Sequence, residues 1–287
     1  MSLPDTEIQT RAREIRAVTE PLAAGVYFAP EAQEEYRTLG LDYFESYFCS
    51  RGACLGQAPW SVICAAFAAF KPSAVEAAVT GGWSKTTADA MLGARERGAT
   101  AQLARILGDL AAPADLARAT EILFAATDGV DPSGRALFAG LSVLDRPTAP
   151  FGAFWRAADL VREHRGDGHI ACWIPHVDST EITVLTEIAW GIPRRTYVFT
   201  RGWDEADVAA AEARLTARGL LAGDELTDAG RELRHHIETT TDLSTRAVVE
   251  RIGADHDELI GLLRPWADAV VASGGYPAPA PNLAVGS

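Results

Sequence analysis

From Trp155 to Asp178 the chain reads WRAADLVREHRGDGHIACWIPHVD, and this stretch decides the predicted fold. It overlaps a predicted helix that begins at Phe151 and ends at Arg165. Apolar side chains recur along this helix at intervals of three and four residues, which gives it one apolar face. The members of that face are Phe151, Phe154, Trp155, Ala158 and Val161.

The apolar stripe continues onto two residues that carry polar side chains. His164 and Arg165 fall on its extension, so we expect both to point toward the protein interior. Asp159 and Glu163 are expected on the opposite, solvent-facing side of the helix. The sequence therefore predicts cationic groups at the end of a buried stripe.

A turn is expected directly after this helix. Gly166 and Gly168 are expected to break it around Asp167, because glycine tolerates the positive φ of a helix C-cap. His169 then precedes the apolar run 170–174. Four polar side chains are thereby expected to face one shared cavity: His164, Arg165, Asp167 and His169.

This cluster suits anion binding or acid/base chemistry. Arg165 would bind an anionic group, Asp167 would orient a histidine, and His164 or His169 would serve as the acid or base. His176 could add a third imidazole to the site. A structural role stays open as the alternative, because cations complement a helix C-terminus and an Arg–Asp pair often fastens a turn.

Metal or haem ligation by the histidines is the weaker alternative. The spacing of His164, His169 and His176 matches no compact metal-ligand motif, so no metal site is predicted. The sequence indicates no cofactor, and it leaves open whether a bound ligand is chemically converted.

Composition narrows the class of protein. The chain has 287 residues, of which 48% are hydrophobic and 23% charged, as in ordinary globular proteins. Its net charge of −13 disfavours DNA and anionic membranes as partners. Four cysteines without a CxxC motif and an N-terminus without a signal-peptide pattern predict a cytoplasmic protein. The longest strongly apolar run, Val62 to Phe70, is too short to span a bilayer.

The proline-rich stretch 145–150 is the predicted boundary between two parts of the chain. Residues 1–146 are expected to form a helical domain and residues 147–276 a second, winged-helix-like domain. Residues 277–287 are expected to form a flexible tail. The predicted fold class is mainly α, with a helical N-terminal half and a very short β-hairpin in the C-terminal half.

The hairpin lies in the run from Ala211 to Leu233, which reads AEARLTARGLLAGDELTDAGREL. This run resembles the winged helix of MarR-type regulators, in which a Leu-x-x-x-Gly-Leu pattern ends the recognition helix and Leu-Thr-x-x-Gly begins the next helix after the wing. The matching residues here are Leu215, Gly219, Leu220, Leu226, Thr227 and Gly230.

The resemblance implies DNA binding, but the helix in the recognition position is acidic. Asp204 to Arg218 contains four carboxylates and two arginines, whereas DNA-reading helices present Arg, Lys, Asn or Gln. The short wing adds Asp224 and Glu225. We therefore expect a winged-helix scaffold that has lost DNA binding.

A wider resemblance covers nearly the whole chain. The pattern WxxAxxxREHRGDGH, the motif Arg201-Gly202-Trp203 and the wing together resemble an actinobacterial family that contains a helix-turn-helix domain, and this resemblance implies no particular activity. Within it, we expect Arg201 and Trp203 to contact a ligand.

These observations favour a cytoplasmic protein that binds a small molecule between its two halves. An anionic ligand would suit Arg165, and the sequence leaves open whether the ligand is an enzyme's substrate. The first alternative is a MarR-like transcriptional regulator that binds DNA as a homodimer. The second is a non-catalytic interaction protein that uses its acidic face. Nucleic acid and membrane are the disfavoured partners.

Overall fold

The structure is a computed structural model and describes residues 2–278. Within that range the chain forms fourteen α-helices and one two-stranded hairpin, so the predicted mainly α class is confirmed. The first nine helices are α1 (Asp5–Ala24), α2 (Pro30–Thr38), α3 (Tyr43–Gly52), α4 (Trp60–Phe67), α5 (Pro72–Trp83), α6 (Ala88–Leu107), α7 (Pro113–Thr127), α8 (Ala136–Ser142) and α9 (Pro150–Trp173). The remaining elements are α10 (Ser179–Trp190), α11 (Glu205–Ala217), β1 (Leu221–Ala222), β2 (Glu225–Leu226), α12 (Asp228–Ser244), α13 (Arg246–Ile252) and α14 (His256–Ala272).

Helix α9 is longer than the sequence predicted. It continues without a break through Gly166 and Gly168 to Trp173, so the predicted turn after Arg165 is wrong. Gly168 serves close packing instead of a turn. A methyl group at this position would lie 2.5 Å from both Arg135 Nη1 and Ser244 Oγ, and glycine leaves room for those side chains against the helix.

The acidic residues of α9 are also placed differently from the prediction. Asp159 is 0% exposed and Glu163 is 1% exposed, so neither faces solvent. Arg95 of α6 donates to Asp159 at 2.9 Å, and Arg51 of α3 donates two hydrogen bonds of 2.7 Å to Glu163. Buried carboxylates are tolerated when they are paired in this way.

Two hydrophobic cores occur in the described part of the chain. The larger one gathers α1 to α9 around Trp155 and also takes in α13 and α14, through residues such as Val249 and Leu263. The smaller one joins the end of α9, at Trp173, to α10, α11, the hairpin and α12. Helix α9 thus reaches both cores. The limits 1–146, 147–276 and 277–287 stay a prediction, and residues 279–287 lie outside the described range.

The smaller core has the order of elements expected for a winged helix. Asp178 and Glu181 form a capping box that begins α10, as predicted. The hairpin pairs Leu221 with Leu226 in antiparallel register, and its turn lies between them. Gly219, which follows α11, has a φ of +71°, a conformation that glycine adopts without strain.

Among residues 2–278, none of the helices combines the length and the apolar character that a bilayer span requires.

Candidate ligand cavity and helix-turn-helix face

A cavity of about 820 Å³ lies where the two cores meet. Its walls come from α1, α3, α4, α9, α10, α12 and α13, together with the connection 192–201 between α10 and α11 and residues 276–278. The volume lies in the range of pockets that hold small organic ligands. Each half of the chain contributes to the walls, so the cavity depends on how the two cores pack.

One part of the cavity wall is aromatic. Tyr47 lies at its centre, with ring centroids 5.0 Å from Tyr27, 6.1 Å from Phe67 and 5.5 Å from Phe70. All four residues line the cavity. Such a wall favours a ligand with an apolar or aromatic body.

Six arginines line the same cavity, and four of them are neutralised by carboxylates. Each of the four donates a hydrogen bond to at least one carboxylate, at distances between 2.7 and 3.2 Å. The ion pairs within 4.0 Å are Arg51 with Glu163, Arg162 with Glu20, Asp159 and Glu163, Arg165 with Glu238 and Asp242, and Arg234 with Glu238.

Two lining arginines have no carboxylate within 4.0 Å among residues 2–278: Arg16 and Arg201. The Arg201 guanidinium lies 4.8 Å from the ring centroid of Phe70 and 4.2 Å from that of Tyr197, and its Nη1 donates to Thr200 Oγ1. Arg16 has no hydrogen bond within the described range. The cavity therefore carries more positive than negative charge, in a protein whose net charge is −13.

Arg234 has hydrogen-bonding capacity to spare. Its Nη2 donates to Glu238 Oε1 at 2.9 Å, whereas its buried Nε and Nη1 have no partner among residues 2–278. The residue is 6% exposed, so these donors are shielded from bulk water. Buried donors without a partner are costly, and an acceptor in the cavity would reach them only if the Arg234 side chain turned toward it.

His169 presents a neutral imidazole to the cavity. Burial lowers the pKa of His169 to about 3, so the ring is uncharged at neutral pH. Its Nδ1 lies 3.0 Å from Thr241 Oγ1, and that hydroxyl donates to Ile237 O at 2.7 Å. Because the hydroxyl proton is engaged, Nδ1 must carry the ring proton. Nε2 is then an acceptor for a ligand.

His164 is buried more deeply, and it also lines the cavity. It is 1% exposed, its ring lies 5.0 Å from that of Phe138, and its Nδ1 has no partner in the described part of the chain. Burial, followed by the nearby Arg135, lowers the pKa of His164 to about 3. Neither lining histidine is therefore positively charged at neutral pH.

Four of the seven predicted site residues line the cavity: His164, Arg165, His169 and Arg201. Asp167 does not, and the prediction that it shares this cavity is wrong. Its carboxylate accepts a hydrogen bond of 2.9 Å from the backbone N–H of Phe138, in the first turn of α8. Burial raises the pKa of Asp167 to about 6.

The other two predicted ligand residues also lie elsewhere. The ring of His176 packs edge-on against His236, with centroids 5.3 Å apart, and neither residue lines the cavity. Trp203 donates from Nε1 to Ala69 O at 3.0 Å and so fastens the start of α11 to the first core. Trp203 was predicted to contact the ligand because it shares the motif Arg201-Gly202-Trp203 with Arg201. Of these two side chains, Arg201 lines the cavity.

Several lining residues were missed from the sequence because they come from distant helices. Arg16, Arg51, Arg162 and Arg234 lie on α1, α3, α9 and α12, so no local motif unites them. One signal was available: Arg234 and Glu238 are four residues apart on one helix, a spacing at which side chains meet. Among the described residues, no group of three His, Cys, Asp or Glu side chains could hold a metal ion.

The helix-turn-helix face has its arginines occupied by carboxylates. Arg214 of α11 and Arg218, directly after it, pair with Asp178 and Glu181 at the start of α10, at distances from 2.6 to 3.1 Å. Arg194 and Arg195, in the connection before α11, both contact Glu212. These arginines hold α10, α11 and their connection together.

Comparison with known proteins yields one match. The model of a helix-turn-helix family matches residues 12–277. No curated protein and no solved structure matches the chain. The matched range includes every helix that lines the cavity as well as α10, α11 and the hairpin. The chain therefore belongs to a helix-turn-helix family.

Proposed function

We propose that this protein binds a small anionic organic molecule in the cavity between its two cores, and that its winged-helix scaffold has lost DNA binding. The observation that carries the proposal is the combination of an 820 Å³ cavity, an aromatic wall and two lining arginines without carboxylate partners. An apolar body would pack on the wall around Tyr47, and an acidic group would bind arginine.

His169 would add selectivity to this site. Its Nε2 can accept a hydrogen bond from a hydroxyl or amide of the ligand, since Thr241 fixes the ring tautomer. Whether the ligand is also converted stays open in this proposal. A neutral imidazole whose pKa is about 3 is a weak base, which favours binding over proton abstraction.

We further propose that the protein acts in the cytoplasm, where its four free cysteines would stay reduced. The likeness of its hairpin region to MarR-type regulators, and a homodimeric state, remain part of the proposal.

Membership of a helix-turn-helix family favours a second candidate, a DNA-binding regulator controlled by the ligand. Against it stand the ion pairs of Arg214 and Arg218 with α10, which leave these arginines less available to phosphates. Asp224 at the tip of the wing has a side chain that is 92% exposed and pairs with Arg194 at 3.2 Å, so among the described residues the wing offers no unpaired cation there to the DNA backbone.

The experiment is a fluorescence titration with 8-anilinonaphthalene-1-sulfonate, an aromatic anion. We expect saturable binding by the wild type and its loss in Gly166→Leu. Gly166 lines the cavity inside α9, and a Cβ there would make only ordinary contacts, at 3.5 Å from Glu163 Oε2 and 3.9 Å from Arg51 Nη2. The added side chain would therefore fill cavity space without breaking the helix.

Gly261→Leu is the matched control. Gly261 lies inside α14 and does not line the cavity. A Cβ added at this position would have no other atom within 4 Å. Both variants should stay folded, because leucine favours helix more than glycine does. Equal binding by the wild type and Gly166→Leu would contradict the proposal, as would a failure of the wild type to bind the probe.

A further inference from the structure

The cavity lining has an excess of positive charge, carried by two arginines without carboxylate partners. Four lining arginines have carboxylate partners within 4.0 Å, and these five carboxylates are Glu20, Asp159, Glu163, Glu238 and Asp242. Two of the five are shared with arginines outside the lining: Asp159 with Arg95 and Asp242 with Arg13. The other two lining arginines are left over. Both histidines of the lining are neutral at neutral pH and do not alter this balance.

The pKa values of Glu20, Glu163 and Glu238 are lowered, so these three carboxylates remain ionised at neutral pH. Burial opposes ionisation, but Arg51 and Arg162 hold the pKa of Glu163 at about 2. The pKa of Glu238 is likewise lowered against the effect of burial. The guanidinium groups of Arg234, Arg165 and Arg16 account for this direction, because the nearby His169 is neutral at neutral pH. The excess of positive charge is therefore that of Arg16 and Arg201.

The two excess arginines have different surroundings. Arg16 on α1 is close enough to Glu238 and His169 to affect the pKa of each, which places it beside α12 and the end of α9. Arg201 lies over the rings of Phe70 and Tyr197, at the aromatic wall. Each arginine thus marks its own part of the cavity.

Arg234 strengthens the first of these parts. Its unpartnered Nε and Nη1 are buried, it lines the cavity, and it contributes with Arg16 to the field around Glu238. An anionic group near Arg16 would therefore also lie close to the positive charge of Arg234. Thr200 and Tyr197 supply polar groups around Arg201 in the other region.

We propose that the natural ligand is a dianion whose two acidic groups are separated by an apolar body, with one group held at Arg16 and Arg234 and the other at Arg201. This inference rests on the proposed function, because it takes the same cavity as the binding site. Two ligand charges would neutralise the two excess arginines. A monoanion would leave one guanidinium without a counter-charge inside a partly desolvated cavity.

The test compares straight-chain acids that differ only in their second carboxylate. Octanedioate, decanedioate, dodecanedioate and tetradecanedioate are each titrated calorimetrically against the monocarboxylate of the same length, at neutral pH and physiological salt. Four chain lengths are used so that at least one diacid matches the distance between Arg16 and Arg201. We expect at least one diacid to bind about tenfold more tightly than its monoacid, which is the gain from one charge-assisted hydrogen bond.

Variants of Arg16 and Arg201 show which arginine binds each carboxylate of the diacid. Arg16→Gln and Arg201→Gln should each reduce the affinity for that diacid to the level of the monoacid, whereas Arg16→Lys and Arg201→Lys should keep most of the advantage. Arg37→Gln is the matched control, because the Arg37 side chain is 65% exposed and pairs only locally with Glu34. Melting temperatures verify that each variant is folded. If a glutamine variant unfolds, Arg16→Met or Arg201→Met replaces it, because methionine also removes the charge and keeps an apolar stem of similar length.

Equal affinities of diacids and monoacids at every length would overturn the inference and leave the proposed function intact. A diacid advantage that survives both glutamine variants would do the same. Binding of 8-anilinonaphthalene-1-sulfonate without binding of any straight-chain acid would also reject the dianion and keep the cavity as a site. If neither the sulfonate nor any acid binds, the proposed function fails together with the inference.

Discussion

Arg51 and Glu163 form a buried ion pair that joins α3 to α9 through two hydrogen bonds of 2.7 Å, between Nε and Oε1 and between Nη2 and Oε2. Glu163 is 1% exposed and Arg51 is 9% exposed. Both hydrogen bonds are charge-assisted and share the planar geometry that arginine and carboxylate favour. Arg51 lines the cavity and Glu163 does not, so Glu163 holds a side chain of the cavity wall in place without itself contacting the cavity.

Removing the charge of Glu163 should destabilise the fold. In Glu163→Gln the buried guanidinium of Arg51 keeps its charge and loses its counter-ion, which typically costs about 3 kcal/mol. Urea unfolding gives the free energy of unfolding directly. Glu121→Gln is the control, since the Glu121 side chain is 73% exposed and should change stability by less than about 0.5 kcal/mol. Equal stabilities of the two variants would show that the ion pair is dispensable.

The sequence predicted the helical class and the hairpin region because their signals are local. Asp178 with Glu181 and Gly219 with Thr227 mark helix ends and the hairpin by short-range chemistry. The burial of Glu163 had no such signal, because its partner Arg51 lies 112 residues earlier in the chain. An acidic residue among polar neighbours is normally solvent-exposed, and only tertiary packing reverses that expectation here.

The glycines of α9 show the same limit. Gly166 and Gly168 were interpreted as a helix stop, which is the usual meaning of paired glycines after an apolar stripe. In the structure Gly168 is needed because Arg135 and Ser244 pack against the helix at that point. The contact comes from residues outside α9. Because α9 does not break at these glycines, Asp167 stays on the helix. Its carboxylate faces the start of α8 and not the predicted site.

Asp167→Asn should change stability in a manner that depends on pH. Burial raises the pKa of Asp167 from 3.8 to about 6, so the folded state binds its proton more tightly than the unfolded state does. The stabilisation from that proton is present below pH 3.8 and is lost as the pH rises through about 6.

Asparagine cannot ionise, and its side-chain oxygen can still accept from Phe138 N–H. Relative to the wild type, Asp167→Asn should therefore be more stable at pH about 8 than at pH about 4, by on the order of 1 to 3 kcal/mol. Thermal or urea unfolding across this range measures the difference. A variant whose stability parallels that of the wild type at every pH would refute the raised pKa of Asp167.

Gly219→Val should weaken the winged-helix region. Gly219 has a φ of +71°, which a β-branched residue adopts only with strain, and the expected cost is more than about 1 kcal/mol. No atom lies within 4 Å of a Cβ at this position, so the loss would come from the backbone and not from a clash. Gly261→Ala, inside α14, should instead stabilise the fold slightly. An unchanged melting temperature of Gly219→Val would contradict the assigned backbone conformation.

The purified protein should show no salt-sensitive affinity for duplex DNA. The net charge is −13, and Arg214 and Arg218, in and directly after α11, are paired with Asp178 and Glu181. Electrophoretic mobility shifts with genomic fragments across a salt series test this expectation. Sub-micromolar binding at physiological salt that declines steeply as salt increases would favour the regulator instead.

A crystal structure of the protein grown with 8-anilinonaphthalene-1-sulfonate tests the cavity most directly. We predict density for the naphthalene ring against the wall formed by Tyr47 and Phe70, with the sulfonate within hydrogen-bonding distance of Arg16, Arg201 or Arg234. Density for the probe only on the outer surface, with the cavity empty or closed by its own side chains, would contradict a ligand site between the two cores.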